Sequence, residues 1–285
     1  MSDEPVRVLH RPGMQLLLRV HRVSTGAPAR TLDAAIDGVV PDEAAIDLDA
    51  SARALVARAW LERAASERTA AAAFSALTHR LVVHGAPRDI EWLAARAASD
   101  ELRHAALCER VATLYAGETL ARLPLRSNDV ELGAVPEALR LSIQVLALSC
   151  IQETLGAAFL DASYRATTAP AARAALHALL TDEIDHGRLG WGYLASLDQT
   201  HRAALEDHVE RVMDACLSVW EARIAAYPPD GAPRHGLLPR RDALECVLGA
   251  AETLVVEGLA HVGIKPDGAV VAVARRRPAD GRYST

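Results

Sequence analysis

The chain has few aromatic residues, which make up 4% of its 285 positions, and a single lysine, Lys265. The alternation of β-branched, aromatic and polar residues that is typical of strands is rare. Hydrophobic residues nevertheless make up 51% of the sequence, and Ala and Leu run throughout. Because these two residues lose little freedom in a helix, and a chain of this length can bury a sizeable core, the composition predicts an all-α protein.

An excess of positive charge is also missing. The formal net charge is −6, whereas nucleic-acid-binding domains usually have a basic surface. The one basic cluster consists of Arg275, Arg276 and Arg277, and we interpret it as part of a solvated tail. We therefore expect no nucleic-acid partner.

Paired cysteines are absent too. The four cysteines stand far apart and form no CxxC pair, at Cys108, Cys150, Cys216 and Cys246. This excludes a zinc ribbon, a rubredoxin-type iron site and a disulfide framework. The first residues contain no apolar signal core, and the best apolar run, residues 141–151, is too short to span a bilayer. We expect a cytoplasmic protein with no membrane partner.

Helical patterns begin near residue 49. Six helices are predicted, at about residues 49–84, 88–116, 137–166, 170–197, 202–227 and 241–262. Short turns join the first helix to the second and the third to the fourth, so each pair forms an antiparallel hairpin. The long connection at 118–135 can return along the length of the bundle, which is the four-helix arrangement with one long crossover.

The predicted organisation has four parts. Residues 1–48 form an N-terminal extension that is irregular or contains short strands. Residues 49–198 form the four-helix bundle, and residues 199–264 supply two further helices packed on it. Residues 265–285 form a C-terminal tail.

Two strings share one pattern: Asp100-Glu101-Leu102-Arg103-His104 and Asp182-Glu183-Ile184-Asp185-His186. Each contains Glu-x-x-His, and residues three apart lie on one face of a helix. A carboxylate oxygen and an imidazole nitrogen can then bind one metal ion. Two copies, on the second and fourth helices, are a much more specific signal than one.

The other two bundle helices each offer a glutamate. Glu153 lies among mostly apolar residues, where a charge is costly unless it is paired or bound to metal. On the first helix, Glu67 is 19 residues before the turn and Glu62 is 24 before it, against 15 after it for Glu101. At about 1.5 Å per residue, Glu67 is closer to the height of Glu101.

These strings resemble the ligand set of the ferritin-like di-iron carboxylate proteins, over roughly residues 50–198. The resemblance implies the ligands Glu67, Glu101, His104, Glu153, Glu183 and His186. Within this superfamily, the Asp-Glu-x-Arg-His string is similar to that of the bacterial multicomponent monooxygenases, which implies that Asp182 supports His104 and Asp100 supports His186. The second string departs from it, with Asp185 where the first has Arg103.

Other departures disfavour particular subfamilies. Cys108 stands four residues after His104, where the ribonucleotide reductase small subunit typically has its radical tyrosine. Leu179 stands where the arylamine N-oxygenases have a further histidine. The absence of a rubredoxin-like cysteine module disfavours a rubrerythrin.

The resemblance implies a non-haem di-iron protein, and we expect an O2-dependent oxidase or oxygenase that acts on a small organic substrate and needs an external electron donor. The ligand types also suit Mn/Fe or Mn/Mn. The four ligand glutamates would hold and bridge the metals as catalytic residues. The candidate walls of a substrate pocket are Phe74, Cys108, Cys150 and Leu155.

Two other readings stay open: an iron-handling ferroxidase or store, and a metal-stabilised interaction protein. The two additional helices form either a lid or a homodimer interface. Five histidines lack partners in the ligand pattern and are interpreted as surface or locally bonded residues: His177, His201, His208, His235 and His261.

Overall fold

The computed structural model describes residues 31–41, 47–125 and 134–277. Throughout these ranges the regular structure is helical, and β pairing is limited to an isolated bridge between Ala232 and Leu237. The all-α prediction is therefore confirmed. The short strands considered within residues 1–30 lie outside the described residues.

All six predicted helices are present, with ends that differ from the prediction by at most three residues. The first part of the chain contains α1 (Leu32–Ile36), α2 (Ala50–Val83) and α3 (Arg88–Ala116). The third predicted helix consists of α4 (Glu137–Val145), a π-helical segment (Leu146–Gln152) and α5 (Glu153–Ala166). The remainder contains α6 (Pro170–Ser196), α7 (Gln199–Ala225), α8 (Arg240–Ala250), a second π-helical segment (Ala251–Val255), α9 (Val256–His261) and α10 (Asp267–Ala274).

Local chemistry sets the ends of these helices. The Asp49 side chain accepts a hydrogen bond from the backbone N–H of Ala52 at 2.8 Å and begins α2, which is an N-cap. Gly117 ends α3 with φ +79°, a conformation that glycine adopts without steric cost. Pro170 begins α6, where its missing N–H costs nothing.

Four helical segments surround the centre of the molecule. Helix α2 packs along α3, α3 packs on α6, and α6 packs on both α5 and the π-helical segment that precedes it. Helices α7 and α8 pack on the α4–α5 side, and α10 packs on α7.

The predicted C-terminal tail contains α10, which the sequence reasoning missed. The arginine cluster at its end is not free, because each guanidinium has an acidic partner. The ion pairs are Arg275 with Glu210, Arg276 with Asp214 and Arg277 with Glu252. Helix propensity alone gave no reason to extend the fold here, since α10 is a short segment held by packing on α7.

The continuous helix Glu137–Ala166 is long and apolar enough to cross a bilayer by length and composition alone. The shorter apolar run noted in the sequence, residues 141–151, lies within this helix. However, 72% of the helix's most apolar stretch is buried inside the protein, as in the core helix of a bundle.

The sequence predicted that His235 is a surface or locally bonded residue. The structure shows instead that it is buried and bonded to distant parts of the chain. It is 3% exposed, and its Nδ1 lies 2.7 Å from the hydroxyl oxygen of Tyr115. Its Nε2 lies 3.0 Å from Asp47 Oδ1, and the indole N–H of Trp60 donates to its carbonyl at 3.0 Å. This histidine thus ties the loop before α8 to α2, α3 and the segment before α2.

Tyr115→Phe is expected to lower the free energy of unfolding by about 1–3 kcal/mol, because it leaves the buried Nδ1 of His235 without a partner. Urea denaturation followed by circular dichroism measures the change. Tyr164→Phe is the control, since its described contacts involve the ring and the backbone carbonyl. Equal stability of native protein and Tyr115→Phe would contradict this account.

Candidate metal centre

The two Glu-x-x-His strings place four buried side chains between α3 and α6. Glu101, His104, Glu183 and His186 are each at most 4% exposed. Within each string the glutamate and the histidine are one turn apart, so both project from the same face of their helix. The two faces meet in the interior, as the sequence predicted.

The predicted ligands form two overlapping groups. One consists of Glu67, Glu101, His104 and Glu183, and the other of Glu101, Glu153, Glu183 and His186. Within each group, one ligand atom per residue lies within 4.8 Å of all the others. Either group has the residue types and the spacing to hold a metal ion, and the two groups share Glu101 and Glu183.

Both imidazoles turn Nδ1 toward the shared glutamates. His104 Nδ1 is 3.3 Å from a carboxylate oxygen of Glu183 and 3.5 Å from one of Glu101. His186 Nδ1 is 3.1 Å from Glu101 Oε1 and 3.2 Å from Glu183 Oε2. The nitrogen that faces the cluster is therefore the same in both rings.

The other ring nitrogen faces an aspartate from the opposite helix. His104 Nε2 is 3.1 Å from Asp182 Oδ2, and His186 Nε2 is 3.6 Å from Asp100 Oδ2. The supporting pairs that the family resemblance implied are thus brought together. Because 104 pairs with 182 and 100 with 186, α3 and α6 run antiparallel at this point.

Arg96 is a part of the centre that the sequence reasoning missed. Its guanidinium lies 3.2 Å from Asp100 and 3.5 Å from Asp182, and thereby joins the two supporting aspartates. It also lies 3.1 Å from Asp185, the residue that departs from the family pattern. Arg103 makes a further ion pair with Asp182. A signal was available, because Arg96 stands four residues before Asp100 on the same helix face.

Glu67, not Glu62, belongs to the cluster on α2. Glu67 is in the first ligand group, whereas Glu62 pairs with Arg58 at 3.0 Å. The choice made from helix register therefore agrees with the structure.

Glu153 stands at the point where the π-helical segment gives way to α5. Single π turns inside longer helices are frequent at functional sites. Helix α6 comes very close to this segment, and a Cβ added to Gly190 would lie 2.8 Å from the backbone nitrogen of Cys150. Glycine at 190 thus allows α6 to bring Glu183 and His186 up to Glu153.

Burial and the neighbouring charges shift the pKa values of the glutamates in the cluster. Burial, followed by repulsion from Glu101 and Glu183, raises the pKa of Glu67 well above its usual range. Burial and the neighbouring Glu183 do the same to the pKa of Glu153. Burial would also raise the pKa of Glu183, but the two histidines outweigh it and hold that pKa well below its usual range.

The pKa values of the two histidines are both raised. Burial would lower the pKa of His104, but the neighbouring carboxylates of Asp182, Glu101 and Glu183 raise it well above the ordinary value. The same balance raises the pKa of His186. Because a metal ion binds the deprotonated form of these ligands, a cation entering the cluster would compete with protons for them.

The donor set fits a metal ion of the iron or manganese type. Within the described residues, Glu101 Oε2 and His104 Nδ1 are buried without a hydrogen-bond partner, a costly arrangement unless another group satisfies them. Carboxylate and imidazole donors suit iron and manganese. The buried cluster can therefore hold a metal, as the sequence predicted.

A cavity of about 780 Å³ opens beside the cluster. It lies between α2 and the α4–α5 helix and reaches α7 at Trp220 and Arg223. Its lining includes the four ligand glutamates Glu67, Glu101, Glu153 and Glu183.

The predicted pocket walls lie elsewhere. Phe74, Cys108, Cys150 and Leu155 are completely buried, and none of them lines this cavity. Phe74 packs instead on His186, with ring centroids 5.4 Å apart. The sequence could not show which side of the cluster is open.

Comparison of the chain with protein-family models and with curated proteins gives no match. The ferritin-like resemblance of the ligand strings therefore stays a proposal.

Glu101→Ala and His186→Ala are each expected to lower the amount of metal that the cluster binds, because both residues belong to the candidate ligand groups. Each substitution removes one candidate metal ligand from a buried cluster. Elemental analysis after anaerobic ferrous reconstitution and desalting measures the iron bound per chain. Glu62→Ala is the matched control and is expected to bind as much iron as the native protein. Native iron content in both ligand variants would show that the ligands are assigned wrongly.

Asp182→Asn is expected to weaken metal binding about 10- to 100-fold, because the partner of His104 Nε2 loses its charge. The measurement is competition against a chromophoric chelator. Asp185→Asn is the control, since Asp185 pairs with Arg96 and Arg188 but not with a ring nitrogen of the cluster. If both variants lost affinity equally, the support of His104 by Asp182 would not be the cause.

Proposed function

We propose that the chain is a non-haem di-iron protein of the ferritin-like type, and that it acts as an O2-dependent oxidase or oxygenase on a small organic substrate. The observation that carries this proposal is the sharing of Glu101 and Glu183 between two groups of four ligands. A single ion would need only one of these groups.

The candidate ligands divide into two similar sets, each with one glutamate and one histidine of its own. Glu67 and His104 would hold one ion, and Glu153 and His186 the other. Glu101 and Glu183 would bridge both. Two bound ferrous ions would supply two electrons for the reduction of O2, and the same donors suit Mn/Fe or Mn/Mn.

The course of the chain supports the ferritin-like arrangement. Helix α6 is antiparallel to α3 at the cluster, and the short turn between α5 and α6 makes these two antiparallel as well. The α4–α5 helix then runs in the same direction as α3, so the connection between them must return along the bundle. One long crossover of this kind distinguishes ferritin-like folds from simple up-down bundles.

The cavity favours an enzyme over an iron store. Its open space reaches the ligand carboxylates, while the completely buried Phe74 packs on the ring of His186. Small apolar residues of α2, including Ala70 and Ala73, line the cavity. Walls of this kind can bind an organic molecule and exclude water from the reacting atoms. Electrons would come from an external donor.

The protein loaded anaerobically with ferrous iron is expected to consume O2 rapidly on mixing, because O2 can reach the ligand carboxylates through the cavity. Stopped-flow absorption and an oxygen electrode follow the reaction. Glu183→Ala should abolish it, since Glu183 is common to both ligand groups, and Glu62→Ala should retain it.

Two results would contradict this function. Ferrous protein that does not react with O2 would indicate a metal that serves stability or protein interaction. Uptake of many iron ions per chain by a very large assembly, measured by elemental analysis and light scattering, would indicate an iron store.

A further inference from the structure

One end of the cavity carries positive charge that no carboxylate of the described residues pairs with. Arg63 on α2 and Arg223 on α7 both line this end. Arg63 donates to the carbonyl of Gly236, and Arg223 donates to the hydroxyl of Ser66 at 2.7 Å. Neither guanidinium is within ion-pair distance of a carboxylate among the residues that the structure describes.

Two other arginines, Arg80 and Arg140, also line the cavity. Arg140 is paired with Glu137 at 2.7 Å, and Arg80 donates to Gln144 at 3.1 Å. Both lie toward the opposite end, since Arg80 is 13 residues after Glu67 and thus about 20 Å along the helix axis. Among the described residues, three arginines of the cavity have no carboxylate partner, and two of them, Arg63 and Arg223, lie together at the Arg63 end.

Two donors at the Arg63 end lack partners. Arg63 Nη1 is buried and makes no hydrogen bond, and the same is true of Trp220 Nε1. Trp220 is 3% exposed and lines the cavity. Unpaired buried donors are costly in a folded protein, and beside a cavity they indicate the position of an acceptor on a ligand.

Aromatic rings hold both guanidiniums in place. The Arg63 guanidinium carbon lies 4.7 Å from the centroid of the Trp60 ring, and that of Arg223 lies 4.7 Å from the Trp220 ring. Phe159 packs on Trp220, with centroids 5.4 Å apart. Planar guanidiniums fixed in this way are suited to binding a carboxylate with little loss of freedom.

Charge and shape point to the same kind of ligand. Apart from the four metal-ligating glutamates, the lining carries four arginines and one glutamate, Glu62, which pairs with Arg58. Beyond Arg63, the face of α2 that borders the cavity presents Ala70, Ala73 and Ala76. The volume of about 780 Å³ is that of a site for a small organic molecule.

We propose that the cavity binds an organic carboxylic acid with an apolar body, whose carboxylate is held by Arg63 and Arg223. The proposal rests on the proposed function, and it names the class of substrate. Arg63 is one turn before Glu67, so the carboxylate lies about 6 Å along the helix axis from that ligand. The apolar body extends past Glu67 and Glu153 along the alanine face of α2, and its first carbons lie beside the metal cluster.

The test is isothermal titration calorimetry of the full-length protein with sodium octanoate and with 1-octanol, which share a chain and differ in the head group. Octanoate is expected to bind more tightly than octanol by at least about tenfold, as charge-assisted hydrogen bonds imply. Arg63→Met and Arg223→Met are each expected to lose this advantage and to keep the affinity for octanol. Arg165→Met, an exposed arginine paired with Asp161, is the matched control.

The proposal is overturned if octanol binds the native protein as tightly as octanoate, or if both arginine variants keep the native affinity for octanoate. Circular dichroism checks folding. If Arg63→Met does not fold, the proposal is tested by the octanoate affinity of Arg223→Met and by the difference between octanoate and octanol binding to the native protein.

Elemental analysis of the same samples separates this proposal from the proposed function. Selective octanoate binding by protein that takes up no metal supports the carboxylate site and contradicts the di-iron function. Metal uptake without octanoate binding overturns the carboxylate site alone.

Discussion

The burial of four carboxylates and two imidazoles within one helix bundle is the constraint on which the rest of this structure depends. Unpaired charges in such a place would be strongly destabilising. The groups are balanced instead by one another, with the pKa values of Glu67 and Glu153 raised and that of Glu183 lowered. A pair of divalent cations would replace the protons of the cluster and satisfy its oxygen and nitrogen atoms together.

Charged side chains on the far side of the two imidazoles help to hold these rings in position. Asp182 and Asp100 face the outer ring nitrogens, and Arg96 joins these aspartates from α3. An aspartate beside Nε2 helps to orient each imidazole, and its negative charge would make Nδ1 a more basic ligand for a metal. The cavity, in contrast, is lined by alanines and arginines as well as by the four ligand glutamates.

Much of the bundle was predictable because its signals are local. Helix caps, the two Glu-x-x-His strings and the register of Glu67 depend on residues within a few turns of one another. The features that escaped prediction depend on distant parts of the chain. His235 meets Asp47 across 188 positions, and the π-helical segment before Glu153 packs closely on α6. The position of the cavity depends on how far α2 stands from the α4–α5 helix, and no periodicity in the sequence expresses that distance.

Anomalous diffraction at the iron absorption edge, from crystals of the iron-loaded protein, tests the central claim most directly. The account predicts two anomalous peaks about 3.5–4 Å apart, one beside His104 Nδ1 and the other beside His186 Nδ1, with Glu101 and Glu183 touching both. A single peak, or peaks away from these side chains, would contradict it.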